Sequence, residues 1–259
     1  MAQKVVLITG ASSGIGYATA LAFAQKNHHV IGTARREERL AELQQQIADL
    51  PQPHGEFLPL AADVTDAQAM QTVVQKTVEQ FGRLDVLVAN AGIGQRGPLV
   101  DSDWADIEKV LRTNIDGVLH SIRAAVPAMR QQGGGHIVTI SSVTYNIIAP
   151  YMATYAATKA FVSSIAASLR EELDNDNIWV TDFLVGRTKT EFNERRLGGG
   201  RIRKSSLPQM TAEQVAEAIV RATDQRRKRV VLRWIDRLIV LGGVFAPWLI
   251  GRQVKKQYQ

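Results

Sequence analysis

The chain contains no cysteine. A disulfide scaffold, a thiolate metal site and a cysteine nucleophile are therefore all excluded. Aromatic residues make up only 6%, and the basic residues gather in the tail instead of spreading along a recognition element with interleaved aromatics, so no nucleic-acid partner is expected. The five histidines (His28, His29, His54, His120 and His136) show no HExxH or paired spacing, and no metal is expected. After Met1–Lys4 the apolar run Val5–Ile8 is too short for a secretory h-region, which makes a cytoplasmic location the expectation.

What remains is a chain of 259 residues, 45% hydrophobic and 22% charged. That length suits one α/β domain, and the composition excludes a disordered chain. The net charge of +6 is unevenly placed. From Arg195 onward there are 15 basic and 4 acidic residues, a net +11; Met1–Glu194 carries 16 basic and 21 acidic, a net −5. The basicity belongs to the tail, which is either simply solvated or meets something anionic.

Short apolar runs alternate with segments of helical period. The runs are Lys4–Thr9, Val30–Ala34, Phe57–Ala61, Leu84–Ala89, His136–Ser141, Ile178–Leu184 and Arg229–Leu232. Near-continuous Val/Ile/Leu strands, each followed by a helix, predict βαβ units. Right-handed crossovers then give an α/β fold with a doubly wound, mostly parallel sheet and helices on both faces. Residues 1–232 read as a single domain and 233–259 as a basic and apolar extension. The stretch 187–208, with its Gly198–Gly200 run and no periodicity, reads as a functional loop or lid. Thr211-Ala-Glu-Gln214 restarts a helix with a capping-box pattern.

Three features carry chemistry. Strand one enters Gly10-Ala11-Ser12-Ser13-Gly14-Ile15-Gly16, a glycine-rich turn ahead of a helix. Backbone N–H groups and the positive helix end suit a pyrophosphate there. Strand two ends in Arg35-Arg36, where a dinucleotide site for NAD carries a carboxylate. Guanidiniums suit the 2′-phosphate of NADP(H), and NAD(H) fits less well; the alternative is a basic first turn paired with Glu38 and Glu42. Tyr155 and Lys159 stand four apart on one helical face, where an ammonium would lower the phenol's pKa. Ser141-Ser142 and Asn90-Ala91-Gly92 end strands at the same sheet edge, and Asn114 interrupts the helical segment Asp103–Met129.

Taken together, the Gly10–Gly16 turn, Asn90-Ala91-Gly92, Asn114, Ser142 and Tyr155-x3-Lys159 resemble the short-chain dehydrogenase/reductase family over about Val5–Leu232. The resemblance implies a Rossmann-type, seven-stranded sheet and an NADP-preferring oxidoreductase acting on a carbonyl or alcohol. It implies Tyr155 as proton donor or acceptor and Lys159 as the group that tunes it and holds the nicotinamide ribose. Ser142 would position the substrate oxygen, Asn114 would support a relay water, and Asp63-Val64 would flank the adenine. Thr188 and Thr190 are assigned to the nicotinamide side. Two positions depart from the family pattern: Val185 stands where proline is usual before Gly186, and Ser13 where NADP users often have a basic residue. A non-catalytic NADP-binding sensor and a sugar epimerase or dehydratase are the competing classes; the Ser142/Tyr155/Lys159 set disfavours the first and the lack of a larger substrate domain the second. A homo-oligomer is expected.

The tail run Leu238–Ile250 has 13 uncharged, mainly apolar residues, below the ~17–25 of a membrane span. Pocket closure or an oligomer interface is the first expectation for it. Peripheral contact with anionic lipid, through Trp234, Trp248 and the flanking Arg and Lys, is the second. Either favours a hydrophobic, lipid-like substrate.

Overall fold

The computed structural model describes residues 2–199 and 208–258. Seven parallel strands form one sheet: β1 (Val5–Thr9), β2 (His29–Ala34), β3 (Phe57–Ala61), β4 (Val86–Ala89), β5 (Gly135–Ser142), β6 (Ile178–Val185) and, after two short strands β7 (Thr188–Lys189) and β8 (Met210–Thr211), β9 (Arg229–Val231). Their spatial order is β3-β2-β1-β4-β5-β6-β9, with β7 and β8 paired separately. Order reverses between β1 and β4, so a crevice opens at their carboxyl ends, where doubly wound sheets bind ligands.

Alternation along the strands builds two cores. Val6 and Ile8 of β1, Val86 and Val88 of β4, and Val138 and Ile140 of β5 pack toward α1 (Gly14–Gln25), α2 (Glu37–Ala48) and α7 (Ala212–Asp224). Their neighbours Val5, Leu7, Leu87 and Ile137 pack toward α3 (Ala67–Phe81), α5 (Gly117–Gln131) and α6 (Ala153–Glu172). Both sheet faces are thus covered, which is why these strands read as continuous apolar runs. Thr211 caps α7 in the capping box expected from its sequence.

The helical segment expected over Asp103–Met129 is not one helix. It divides into α4 (Trp104–Leu111), a π-helical turn over Arg112–Asp116, and α5. Asn114 lies in that turn and is fully buried. The apolar tail run likewise divides. α8 (Trp234–Phe245) stops at Ala246, and α9 (Pro247–Tyr258) begins on Pro247, a residue suited to a helix's first position and not to its interior.

One buried histidine makes the fold acid-sensitive. His136 is almost fully enclosed in β5, its Nε2 sharing a 2.8 Å hydrogen bond with Thr181 Oγ1. Burial, reinforced by Lys4 and Arg226, pushes its pKa down to about 4. Between pH ~6.5 and ~4 the unfolded chain binds a proton that the folded chain refuses, so stability falls as pH falls through that window. The loss is on the order of 3 kcal/mol. His136→Asn should flatten that part of the urea-unfolding profile; an unchanged acid limb would contradict the assignment.

Candidate active site

The glycine-rich turn is shaped by close approach. Gly10 has φ +70° and Gly14 φ +56°, conformations that favour glycine. A Cβ on Gly16 would lie 2.4 Å from Gly10 O and 2.5 Å from Asn90 Nδ2. Only glycine lets α1 start this close to the sheet. Ser13, the N-cap of α1, makes no side-chain cap hydrogen bond, so the helix's first N–H groups keep their capacity for an anion. The cradle therefore fits a dinucleotide pyrophosphate.

Asn90 builds this cradle from behind. Its Nδ2 donates to Thr9 O at 2.8 Å, and Thr9 Oγ1 accepts from both Asn90 N and Ala91 N at 3.0 Å. Asp63 accepts from the Thr65 N–H and hydroxyl, both at 2.9 Å. Burial alone would raise its carboxyl, but those bonds and Arg35 outweigh it and hold the pKa below the usual range. Val64 packs on Gly117, whose Cβ would stand 2.5 Å from Val64 Cγ2.

The two arginines after β2 differ in placement. Arg35 is more exposed and lies 3.6 Å from Asp63 Oδ2. Arg36 turns inward, its Nη2 donating to Ser12 Oγ at 3.0 Å and Ser12 O at 3.2 Å. Arg39, which the sequence reading did not single out, also donates to Ser12 O, at 3.4 Å. It stands one turn beyond Arg36, so the three-residue spacing on α2 was the available signal. Glu191 reaches Arg36, Arg39 and Arg195 at 3.5, 3.4 and 3.2 Å.

Glu191 comes from the stretch expected to be loop or lid. Residues 200–207 of that stretch lie outside the described residues, as do Arg201, Arg203 and Lys204. The described part is structured. β7 pairs with β8, Glu191–Asn193 forms a 3-10 turn, and Gln95 bridges to Leu197. Thr190 caps the turn through Phe192 N and touches the cradle, standing 3.2 Å from where a Gly14 Cβ would sit. Thr188 Oγ1 donates to Gly186 O at 3.1 Å. The Phe192 ring tilts against Tyr155, centroids 5.8 Å apart. No sequence period announced Glu191 or Phe192, because their roles arise only when the loop folds back.

The reacting side chains meet at the ends of β5 and α6. Ser142 Oγ accepts from Thr144 Oγ1 at 3.0 Å and hydrogen-bonds the Tyr155 phenol. Lys159 is buried; its Nζ donates to Ile140 O at 2.8 Å and stands 5.9 Å from the Tyr155 ring centroid. Burial pushes Lys159 down to about 8, against the pull of Asp182. The expected lowering of the phenol is not found here. Burial pushes Tyr155 up to about 12, and the Ser142 hydrogen bond offsets only part of that, although the ring keeps some exposure. Lys159 Nζ stands 5.9 Å from the ring centroid, and burial dominates at that distance.

Asn114 Oδ1 accepts from Ile93 N at 2.8 Å, while Nδ2 donates to Ile93 O at 2.9 Å and Thr158 Oγ1 at 3.1 Å. A Cβ on Gly92 would lie 3.2 Å from Asn114 Oδ1 and 3.6 Å from Lys159 Nζ. Glycine thus keeps open a space that both groups border. Behind them, Ser141 Oγ donates to Lys159 O and meets Ser163 Oγ, which donates to buried Asp182. This network locks α6 onto β5 and β6.

An apolar cleft of about 420 Å³ lies between residues 145–150 and α6, lined by Tyr145, Ile147, Ile148, Ala149, Pro150 and α6 alanines. Neither Ser142 nor Tyr155 lines it.

A doubly wound sheet with a glycine cradle at its switch point, and Ser142, Tyr155 and Lys159 beside it, defines a nucleotide-dependent oxidoreductase. The family model for short chain dehydrogenases matches residues 4–198, and the chain belongs to that family. It is 38% identical to sulfoacetaldehyde reductase 2 of Chromohalobacter salexigens, over 84% of this chain and 87% of the relative. It is 39% identical to a 3-oxoacyl-(acyl-carrier-protein) reductase of Thermotoga maritima, over 74% and 77%. Among solved structures it is similar to an alcohol dehydrogenase from the archaeon Thermococcus sibiricus complexed with 5-hydroxy-NADP, with a TM-score of 0.79, 25% identity, and 91% and 98% of the chains covered. The protein is an NAD(P)H-dependent oxidoreductase acting on carbonyl or alcohol groups.

Proposed function

We propose that the protein is an NADP(H)-preferring reductase or dehydrogenase interconverting a hydrophobic ketone and its secondary alcohol. The observation that carries this reading is the convergence of Ser142, Tyr155 and Lys159 beside the Gly10–Gly16 cradle. Gly10, Ser12, Ser13, Gly14, Ile15 and Gly16 would hold the pyrophosphate; Asp63 and Val64 would flank the adenine, and Asn90, Ala91 and Gly92 would border the cofactor at the end of β4. Thr188 and Thr190 would close the nicotinamide side. Arg35 and Arg36 would take a 2′-phosphate, supported by the lack of any carboxylate at the end of β2.

When bound, the nicotinamide supplies or accepts hydride. The chain's own residues handle the oxygen and the proton. Ser142 Oγ holds the substrate oxygen against the Tyr155 hydroxyl. A phenol kept protonated by burial is a donor at neutral pH, and Tyr155 Oη gives its proton to the alkoxide as it forms. Lys159 and Asn114, both bordering the space at Gly92, suit a water that returns a proton to Tyr155. Phe192 screens the phenol from bulk solvent.

A hydrophobic substrate is supported by the aromatic wall at Tyr155 and by the acyl substrate in the name of the Thermotoga relative. NADPH and NADH oxidation should be followed with a panel of ketones and aldehydes of rising chain length. Turnover with NADPH that improves with apolar length supports the reading. Turnover with none of the panel, or only with short charged carbonyls, would overturn it.

A further inference from the structure

The apolar tail run does not bury itself. In α8, Trp234, Leu238, Leu241, Val244 and Phe245 are each more than half exposed; in α9, Trp248 and Leu249 are too. Within α8, spacings of three and four put Trp234, Leu238, Leu241 and Phe245 on one ridge, and the exposed Trp248 and Leu249 follow across the bend in α9. The inner side of the pair is seated differently. Asn146 Nδ2 donates to Val240 O at 2.9 Å, a Cβ on Gly243 would lie 2.7 Å from Asn146 O, and one on Gly251 2.9 Å from Ile148 Cγ2. At the start of α8, Arg233 grips buried Asp236 at 2.6 Å and reaches Pro208 O, while Asp236 fills the space beside Gly186. The pair is thus anchored on the segment between Ser142 and Tyr155 and on the end of β6, with its apolar ridge facing out beside the site.

Charge says what covers that ridge. Beyond Asp236 the chain holds no acidic residue, while Arg237, Arg252, Lys255 and Lys256 follow. Among the described residues none of these four forms an ion pair, and all are exposed. Two copies meeting ridge to ridge would oppose like charges. An anionic lipid surface instead meets cations with phosphates and the ridge with acyl chain. Neither helix of this pair is long enough to cross a membrane by itself: each has 12 residues, about 18 Å against a core of ~30 Å, and the two bend by 117°.

We infer that the exposed α8–α9 ridge docks the protein on an anionic bilayer surface, lying in the interface with Trp234, Leu241, Phe245 and Trp248 inserted and Lys255 and Lys256 among the headgroups. The site then opens at the membrane, where an apolar carbonyl concentrates. Docking goes beyond the reductase reading and does not require it.

The test is co-sedimentation of the full chain with phosphatidylcholine vesicles, with and without phosphatidylglycerol, at low and high ionic strength. Binding is expected to the anionic vesicles and to weaken with salt. Lys255→Gln/Lys256→Gln should weaken it by roughly 25-fold, about fivefold per charge, and Phe245→Glu should abolish it. Turnover of a water-soluble ketone, which reads the reductase assignment separately, should be unchanged in both variants. Absence of vesicle binding would overturn the inference. So would binding untouched by Phe245→Glu, or a Phe245→Glu variant whose only change in analytical ultracentrifugation is loss of a dimer.

Discussion

Replacing Tyr155 with phenylalanine should lower turnover by about 10² or more, up to ~10⁴, while the affinity for NADPH stays within a few fold. The substitution removes one oxygen and leaves the ring that faces Phe192. It deletes the hydroxyl that meets Ser142, the group proposed to deliver a proton to an oxygen held there. The loss therefore falls on kcat, since the interaction is needed only as the alkoxide forms. Stopped-flow turnover together with calorimetric titration of NADPH separates the two effects. Full activity in Tyr155→Phe, or activity abolished by EDTA in the unaltered protein, would contradict the scheme.

The second large effect concerns cofactor choice. A charge-assisted contact to a 2′-phosphate is worth about 1.5–3 kcal/mol, or roughly 10- to 150-fold in preference for NADPH over NADH. The two arginines should not share this equally. Arg36 is held by Ser12 and half-buried, so it is oriented before the phosphate arrives. Arg35 is mostly exposed and loses part of its attraction to solvent screening. Arg36→Ala should therefore cost more of the preference than Arg35→Ala. Glu191 competes for the same guanidinium at 3.5 Å, and Glu191→Gln should tighten NADPH binding a few fold. Calorimetry with both cofactors checks all three variants. Equal affinity for NADPH and NADH in the unaltered protein would remove the argument.

Much of this architecture is legible because parallel strands covered on both faces announce themselves as apolar runs. The Val30–Ala34 and Phe57–Ala61 runs match β2 and β3 within a residue. The Leu84–Ala89 run overshoots β4 at its start: Leu84 bonds through its backbone to the Gln132 side chain, outside the sheet, while the Asp85 backbone still bonds to Val5 O and His136 N beside β4. Alternation cannot reveal where that change falls. β7 and β8 have two residues each, too few for any period. The π turn at Asn114 has helical sequence character, and in the sequence only the polar Asn114 marks a break. The core of the site was visible as spaced motifs, since glycines at close approaches and a Tyr/Lys pair on one helix face are local. Arg39, Glu191, Phe192 and Asp182 were not visible as site residues, because each depends on partners far away in sequence. The pKa of Tyr155 is illegible in the sequence for the same reason: the spacing to Lys159 is local, but the burial that outweighs it is not.

The most direct test of the central claim follows the hydride itself. NADPH carrying deuterium at nicotinamide C4, on one face or the other, should be incubated with an apolar ketone, and the alcohol examined by mass spectrometry and NMR. The reading predicts one deuterium on the carbinol carbon, from one face of the nicotinamide only, with Tyr155→Phe giving the same label far more slowly. An alcohol without label, or label exchanged with solvent, would contradict it.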